Sequence, residues 1–295
     1  MPPIYRSYHP AVLRPRISRA LIVAISLAAC DRPTDSPAAP ATGVGTVAFV
    51  NSARDRIRDA IAAGKNERLD PRLNEAEKLL ATQRWRVARD LLEKIRADDP
   101  TLLQPVFYVA LTHHKERRYA EALPLYEQVL AARPAFPNAY QVLYFYGWAL
   151  FYLGRIDVAR AAFAATLELN PAKYDANYGL AQCDAEDGRV DDAMRRLGEV
   201  IAAATDAGRA GDRGATQDIA KSHARLADLL EAKDDLASAR SHYQQCVQLD
   251  PTAYEAWFRL SKVLDRLGDS RAADEARAAA DRARAAADEK RRSRP

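Results

Sequence analysis

The chain has 295 residues, 48% of them hydrophobic and 28% charged, so it can bury a sizeable core and is not a charge-rich disordered chain. Its 44 Lys and Arg exceed its 40 Asp and Glu, but residues 1–29 hold four arginines and no acid, so the remainder carries equal numbers of each. A basic excess confined to the leader is no argument for a nucleic-acid partner, and three scattered cysteines without a CxxC make no disulfide framework.

Arg6, Arg14, Arg16 and Arg19 precede the apolar run Ala20–Ala29. A basic region, a short apolar run and a small-residue end are the parts of a secretory signal peptide, here residues 1–29. The run is shorter than the ~20 residues of a spanning helix. Arg14 and Arg16 are split by Pro15, so the twin-arginine pattern is absent. Leu27-Ala28-Ala29-Cys30 resembles the lipobox of bacterial lipoproteins. That resemblance implies that the Cys30 thiol takes a diacylglycerol, that cleavage falls just before it and that the new N-terminus is acylated. At ~0.8 kcal/mol per buried CH₂, two or three acyl chains anchor a protein without a spanning helix. It further implies a membrane location on the periplasmic face, and for enteric members of the family Asp31 implies retention in the inner membrane. Residues 30–45, rich in Pro, Ala, Ser, Thr and Gly, read as a disordered tether.

Residues 46–68 carry an amphipathic helix, expected to cap the array that follows. From about residue 69 the chain repeats itself. Pro100, Pro134, Pro171 and Pro251 each lie twelve residues after an alanine: Ala88, Ala122, Ala159 and Ala239. Four residues after each alanine comes Leu92, Tyr126, Phe163 or Tyr243, and two further units keep Ala193 with Leu197 and Ala273 with Arg277. Upstream, Ala76, Ala110, Gly147, Ala181, Ala227 and Ser261 mark the middle of each first helix, and Gly154, Gly188 and Gly268 mark turns. Two antiparallel helices approach closely only where a side chain is small. Proline ends a helix because it lacks the N–H and disfavours α at the preceding residue.

This pattern resembles the tetratricopeptide repeat (TPR): a first helix with a small central residue, a glycine turn, and an Ala–Phe–Pro second helix. The resemblance implies an all-α fold, a right-handed α-α superhelix of about six helix-turn-helix repeats. The units fall near 69–102, 103–136, 140–173, 174–207, 220–253 and 254–287, with a basic tail over 288–295. Most spacings are 34 residues; three extra residues precede Tyr140, and twelve precede Ala220, where ATDAGRAGDRGATQD reads as an exposed loop with extended helix ends.

The chain offers no catalytic constellation, metal site or cofactor motif. His113 and His114 are adjacent on a helix, so their side chains diverge by about 100° and cannot chelate as an i, i+4 pair does. No Gx₄GK[ST] or GxSxG occurs. The expected role is therefore binding, with neither a small-molecule substrate nor nucleic acid as partner. Cys183 and Cys246 read as small buried hydrophobes.

In the TPR family the second, fifth, ninth and twelfth positions of each first helix line the concave face. Those positions make Phe107, Leu111, Tyr144, Trp148, Phe151 and Tyr178 a candidate protein-binding groove for a peptide or helix, turning charged at Lys221, Asp228, Glu231, Glu255, Lys262 and Asp265. The competing expectation is that these rings pack on one another or on the N-terminal helix, since Ala139–Tyr152 is apolar nearly all round. Chaperone-binding members of the family clamp a C-terminal carboxylate with Lys at the fifth and Asn at the ninth position. Here Leu73 and Glu77, Phe107 and Leu111, and Tyr144 and Trp148 stand there, so that clamp is absent. The resulting expectation is a membrane-anchored scaffold or adaptor for partner proteins in the bacterial cell envelope. The alternative is an accessory subunit that docks or regulates a cell-wall or polysaccharide enzyme.

Overall fold

A computed structural model describes residues 45–64, 70–132, 138–209 and 214–292. Among them are thirteen α-helices and no strand: α1 (Val47–Ala62), α2 (Leu73–Ala81), α3 (Trp85–Asp98), α4 (Leu103–Lys115), α5 (Tyr119–Ala131), α6 (Tyr140–Tyr152), α7 (Ile156–Leu169), α8 (Asp175–Glu186), α9 (Val190–Arg209), α10 (Ala215–Ala232), α11 (Leu236–Leu249), α12 (Tyr254–Arg266) and α13 (Ser270–Arg292). From α2 onward each helix packs on the next, so six hairpins stack into a solenoid. The even-numbered helices α2–α12 are the first helices of the hairpins.

The small residues sit at the crossings. Ala88, Ala122, Ala159, Ala193, Ala239 and Ala273 are all fully buried, as are Ala76, Ala110, Ala227 and Ser261. The reason is clearest around Phe163. An added Cβ on Gly147 would lie 2.9 Å from its ring, and one on Gly179 would lie 2.7 Å away. Phe163 therefore fills the space between α6 and α8 only because both present no side chain there.

Every hairpin turn has one geometry. The N–H of Arg84, Arg118, Arg155, Arg189, Asp235 and Asp269 each donates to a carbonyl five residues back, at 2.8–3.0 Å. That bond closes a helix through one left-handed residue. Gly154, Gly188 and Gly268 fill this position at φ between 77° and 82°, and Gln83, Arg117 and Asp234 adopt it at 62–64° without being glycine.

Two regions depart from a plain stack. α1 buries one face, Val50, Ala53, Ile57 and Ala60, but against α7, α6 and α5 rather than over the free end at α2. Phe49 meets Tyr146 edge-on at 6.4 Å, Arg56 donates to the Leu130 carbonyl at the end of α5, and Arg54 and Arg58 reach Glu168. The extra residues before α10 are taken up mostly as helix: α9 runs for 20 residues and α10 for 18. Gly208 lets them approach, its added Cβ falling 3.3 Å from that of Ala215. Among the described residues, no helix is long and apolar enough to cross a membrane.

Candidate protein-binding face

The six side chains assigned to an open groove do come together, but four of them are closed to solvent. Phe107, Leu111 and Trp148 are 2% exposed and Tyr144 is 3%, while Phe151 and Tyr178 are half-buried. Trp148 packs on Phe163 at 5.0 Å, on Phe151 at 5.7 Å, on Tyr152 at 5.9 Å and on Tyr178 at 6.1 Å. Phe107 meets Phe145 and Tyr126 at 6.1 and 6.2 Å. The expected open aromatic strip is thus corrected: Phe107, Leu111, Tyr144 and Trp148 belong to the core. Large rings at adjacent inner positions of tightly stacked hairpins reach one another and exclude water.

His114 shares this environment. Its ring stands edge-on to Tyr119 and Phe145 at 5.0 and 5.4 Å, and burial lowers its pKa to about 3, which keeps it neutral.

Beyond α8 the inner face changes character. Tyr243 donates to Asp228 at 2.7 Å, with a Glu231 carboxylate oxygen 3.1 Å from the same hydroxyl, and burial raises the Asp228 carboxyl. Arg277 pairs with Asp265 at 2.9 Å. Phe258 stays 48% exposed, with the Lys262 ammonium 5.4 Å from its ring. Between the two stretches lies a small cleft lined by Tyr144, Trp148, Asp175, Tyr178, Val200, Asp218 and Lys221, with room for about one water molecule.

Periodicity had put Lys221 on this face. It missed Asp218, and it missed Lys115 and Lys173, which stand beside the cleft at a helix end and in a connection. Their signal was positional: lysines at the edges of first helices, next to inner-face aromatics.

The candidate chemistry resolves into structure. His223 and His242 face each other from α10 and α11 with Nδ1 atoms 2.8 Å apart, one ring donating to the other. Burial lowers His223 to about 4 and lowers His242 as well. Cys183 and Cys246 are free and buried, and burial pushes both thiols up to about 12. Asp184 accepts from Arg160, Arg189 and Arg196 at 2.5–2.8 Å and ties α7, α8 and α9 together. Among the described residues, no group of three His, Cys, Asp or Glu side chains could hold a metal ion. Cys30 lies outside the described residues.

The comparisons with known proteins agree with this architecture. A tetratricopeptide-repeat family profile matches residues 110–151 and 146–210, and a second one matches residues 220–263. No curated protein matches the sequence. Among solved structures, the anaphase-promoting-complex hetero-tetramer Cut9–Hcn1 is similar at a TM-score of 0.61 and 14% identity, over 79% of this chain and 42% of that one. BtubC from P. vanneervenii is similar at a TM-score of 0.53 and 17% identity, over 72% of this chain and 92% of that one. At these identities the likeness speaks for the fold alone. The stacked hairpins, their small-residue crossings and the profile matches make this chain an all-α superhelix built of tetratricopeptide repeats.

Proposed function

We propose that the superhelix is a non-catalytic scaffold that holds a segment of a partner protein along its inner face, tethered through lipidated Cys30 to the periplasmic face of a bacterial membrane. The scaffold part is carried by one observation. On α8, α10 and α12, Tyr178, Gln182, Lys221, Glu255, Phe258 and Lys262, all at the inner-facing repeat positions, keep part of their surface in solvent. Aromatic and charged groups repeated at that spacing suit a peptide or helix laid across the hairpins. The Cut9–Hcn1 hetero-tetramer is a fold of the same kind solved together with a partner chain.

The anchor rests on Leu27-Ala28-Ala29-Cys30 behind a basic, apolar leader. Cell fractionation with metabolic acyl labelling tests it directly. Wild type should be labelled and sediment with membranes, and Cys30→Ser should lose both. An unlabelled wild type that remains on membranes as Cys30→Ser would overturn the anchor. For the scaffold, in-cell cross-linking from a photoreactive residue at Phe258 should capture a protein that a probe at the outward-facing Arg271 does not. Equal capture at both positions would refute an inner-face site.

A further inference from the structure

We propose that Lys115, Lys173 and Lys221 form a cationic seat on the inner face that receives a side-chain carboxylate of an acidic peptide segment and so fixes where the partner lies. This rests on the scaffold reading and gives its groove a ligand chemistry.

The three lysines come from different hairpins: Lys115 ends α4 in the second, Lys173 lies in the connection between the third and fourth, directly before α8, and Lys221 lies in the first two turns of α10 in the fifth. Two of them have carboxylates. Lys173 pairs with Asp175 at 2.7 Å and stands 4.5 Å from the centre of the Tyr144 ring, and Lys221 pairs with Asp218 at 3.2 Å. Lys115 has no carboxylate within ion-pair distance among the described residues. Its ammonium faces the Phe145 ring at 5.5 Å, and the residue is half-buried. Among the described residues, the three ammonium groups near the cleft have two carboxylates within ion-pair distance, those of Asp175 and Asp218, and neither pairs with Lys115.

The Lys115 charge is held unfavourably. Burial first, then the like charges of Lys221 and Lys173, lower the Lys115 ammonium to about 8. A carboxylate arriving there would relieve the mutual repulsion, and the partly dry setting would strengthen each contact it makes. The cleft has room for about one water, so a free anion finds no enclosed cavity. A carboxylate borne on a peptide needs none, because the peptide backbone rests on the face while its acidic group reaches in. Half-buried Tyr178 and Phe151 lie beside the cleft and offer apolar contact to a neighbouring residue of the same peptide. None of the three lysines occupies the fifth position at which the chaperone-binding clamp carries its lysine.

Selection of a random dodecapeptide display library on the full-length chain in detergent tests the seat. Wild type should enrich peptides with Asp or Glu at one position. Replacing that Glu by Gln in a selected peptide should weaken binding about tenfold or more, the scale of one broken charge pair. Lys115→Gln should cause a similar loss, and the two changes together should cost little more than either alone. Lys221→Gln gives an independent arm, and Arg271→Gln, on the outward face of α13, should leave binding unchanged. Selected peptides without acidic preference, or additive losses from the Glu and Lys115 changes, would overturn the seat while leaving the scaffold standing. Selection of no peptide at all would count against both.

Discussion

On α4 and α6 the inner positions carry Phe107, Leu111, Tyr144 and Trp148, all buried; on α10 and α12 they carry Lys221, Asp228, Glu231, Glu255, Phe258 and Lys262, none of them buried. The cores divide accordingly. One apolar cluster runs from Val50 to Cys183 and another from Ala220 to Ala276, with a small third one of Ala181, Ala193, Leu197, Leu226 and Leu229 between them. Yet the crossing alanines are buried alike in both stretches. The small residues and turns therefore decide that hairpins stack, while the inner positions are free to become either core or surface. The difference gives the N-terminal stretch the larger buried inner face and leaves the inner side chains of the C-terminal stretch in contact with solvent.

Truncating a ring in each stretch should break that comparison most visibly. Trp148→Ala removes a buried ring packed on Phe163 and should cost about 3–5 kcal/mol. Phe258→Ala removes an exposed one and should cost under about 0.5 kcal/mol. Denaturant unfolding followed by a probe in each stretch is the measurement, because a repeat array need not unfold as one unit. Equal losses would mean that burial on the inner face has no bearing on stability.

The seam between the stretches gives the next effect. Asp184 has a side chain only 3% exposed, and Arg160, Arg189 and Arg196 all donate to it. Burial alone would raise its carboxyl, but the three guanidinium bonds overcome that and hold it below its ordinary value. Asp184→Asn should cost roughly 1–3 kcal/mol, less than a fully buried pair because the arginines reach solvent. The carboxylate's contribution is complete above the unfolded carboxylate range and is lost as pH falls through the depressed folded value. The variant should thus show less acid destabilisation below about pH 4 than wild type. Unfolding midpoints that track wild type at every pH would rule this tie out.

Much of this was legible in the sequence, and the limits have physical causes. Ala159 with Phe163, and Ala239 with Tyr243, could be read because a helix crossing imposes a local rule on residue size. Burial of Tyr144 and Trp148 stood only as the competing expectation, drawn from the nearly all-round apolar run Ala139–Tyr152, because periodicity says which way a side chain points but not how closely the neighbouring first helix approaches. The docking of α1 on α5–α7 was equally hidden. An amphipathic face declares that it will be buried and not against what. Cys30 lies outside the described residues, and the lipidation proposed for it rests on its motif alone.

Acid response should separate the stretches again, through histidine. His114 among the aromatics has its pKa lowered to about 3 by burial, and His223 against His242 to about 4. Unfolded histidine titrates near 6.5, so the unfolded chain binds more protons between these values, and stability is full above about pH 6.5 and lost as pH falls. Each such histidine gives a slope of up to about 1.4 kcal/mol per pH unit. His114→Leu should flatten the pH dependence reported by a probe near α4, and His223→Asn that reported near α10. A slope that survives both substitutions between pH 6 and 4.5 would move the acid response to other groups.

The smallest effect concerns the turns, where both stretches obey one rule with different residues. Arg117 in the α4–α5 turn holds φ at 62°, and Gly188 in the α8–α9 turn holds 77°. An L side chain in the left-handed region costs roughly 1–2 kcal/mol, because Cβ crowds the carbonyl that follows. Glycine escapes this cost but loses about 0.5–1 kcal/mol through the freedom of its unfolded chain. Arg117→Gly should therefore stabilise by up to about 1 kcal/mol, the difference of the two terms. At Gly188 an added Cβ meets no atom within 4 Å, so Gly188→Ala tests backbone conformation alone and should destabilise by up to about 1 kcal/mol. Opposite shifts in thermal midpoint for the two swaps are the expected pattern. If Arg117→Gly instead lowers the midpoint, the arginine side chain contributes more at that turn than its strained backbone costs, and the common turn geometry is not what sets its stability.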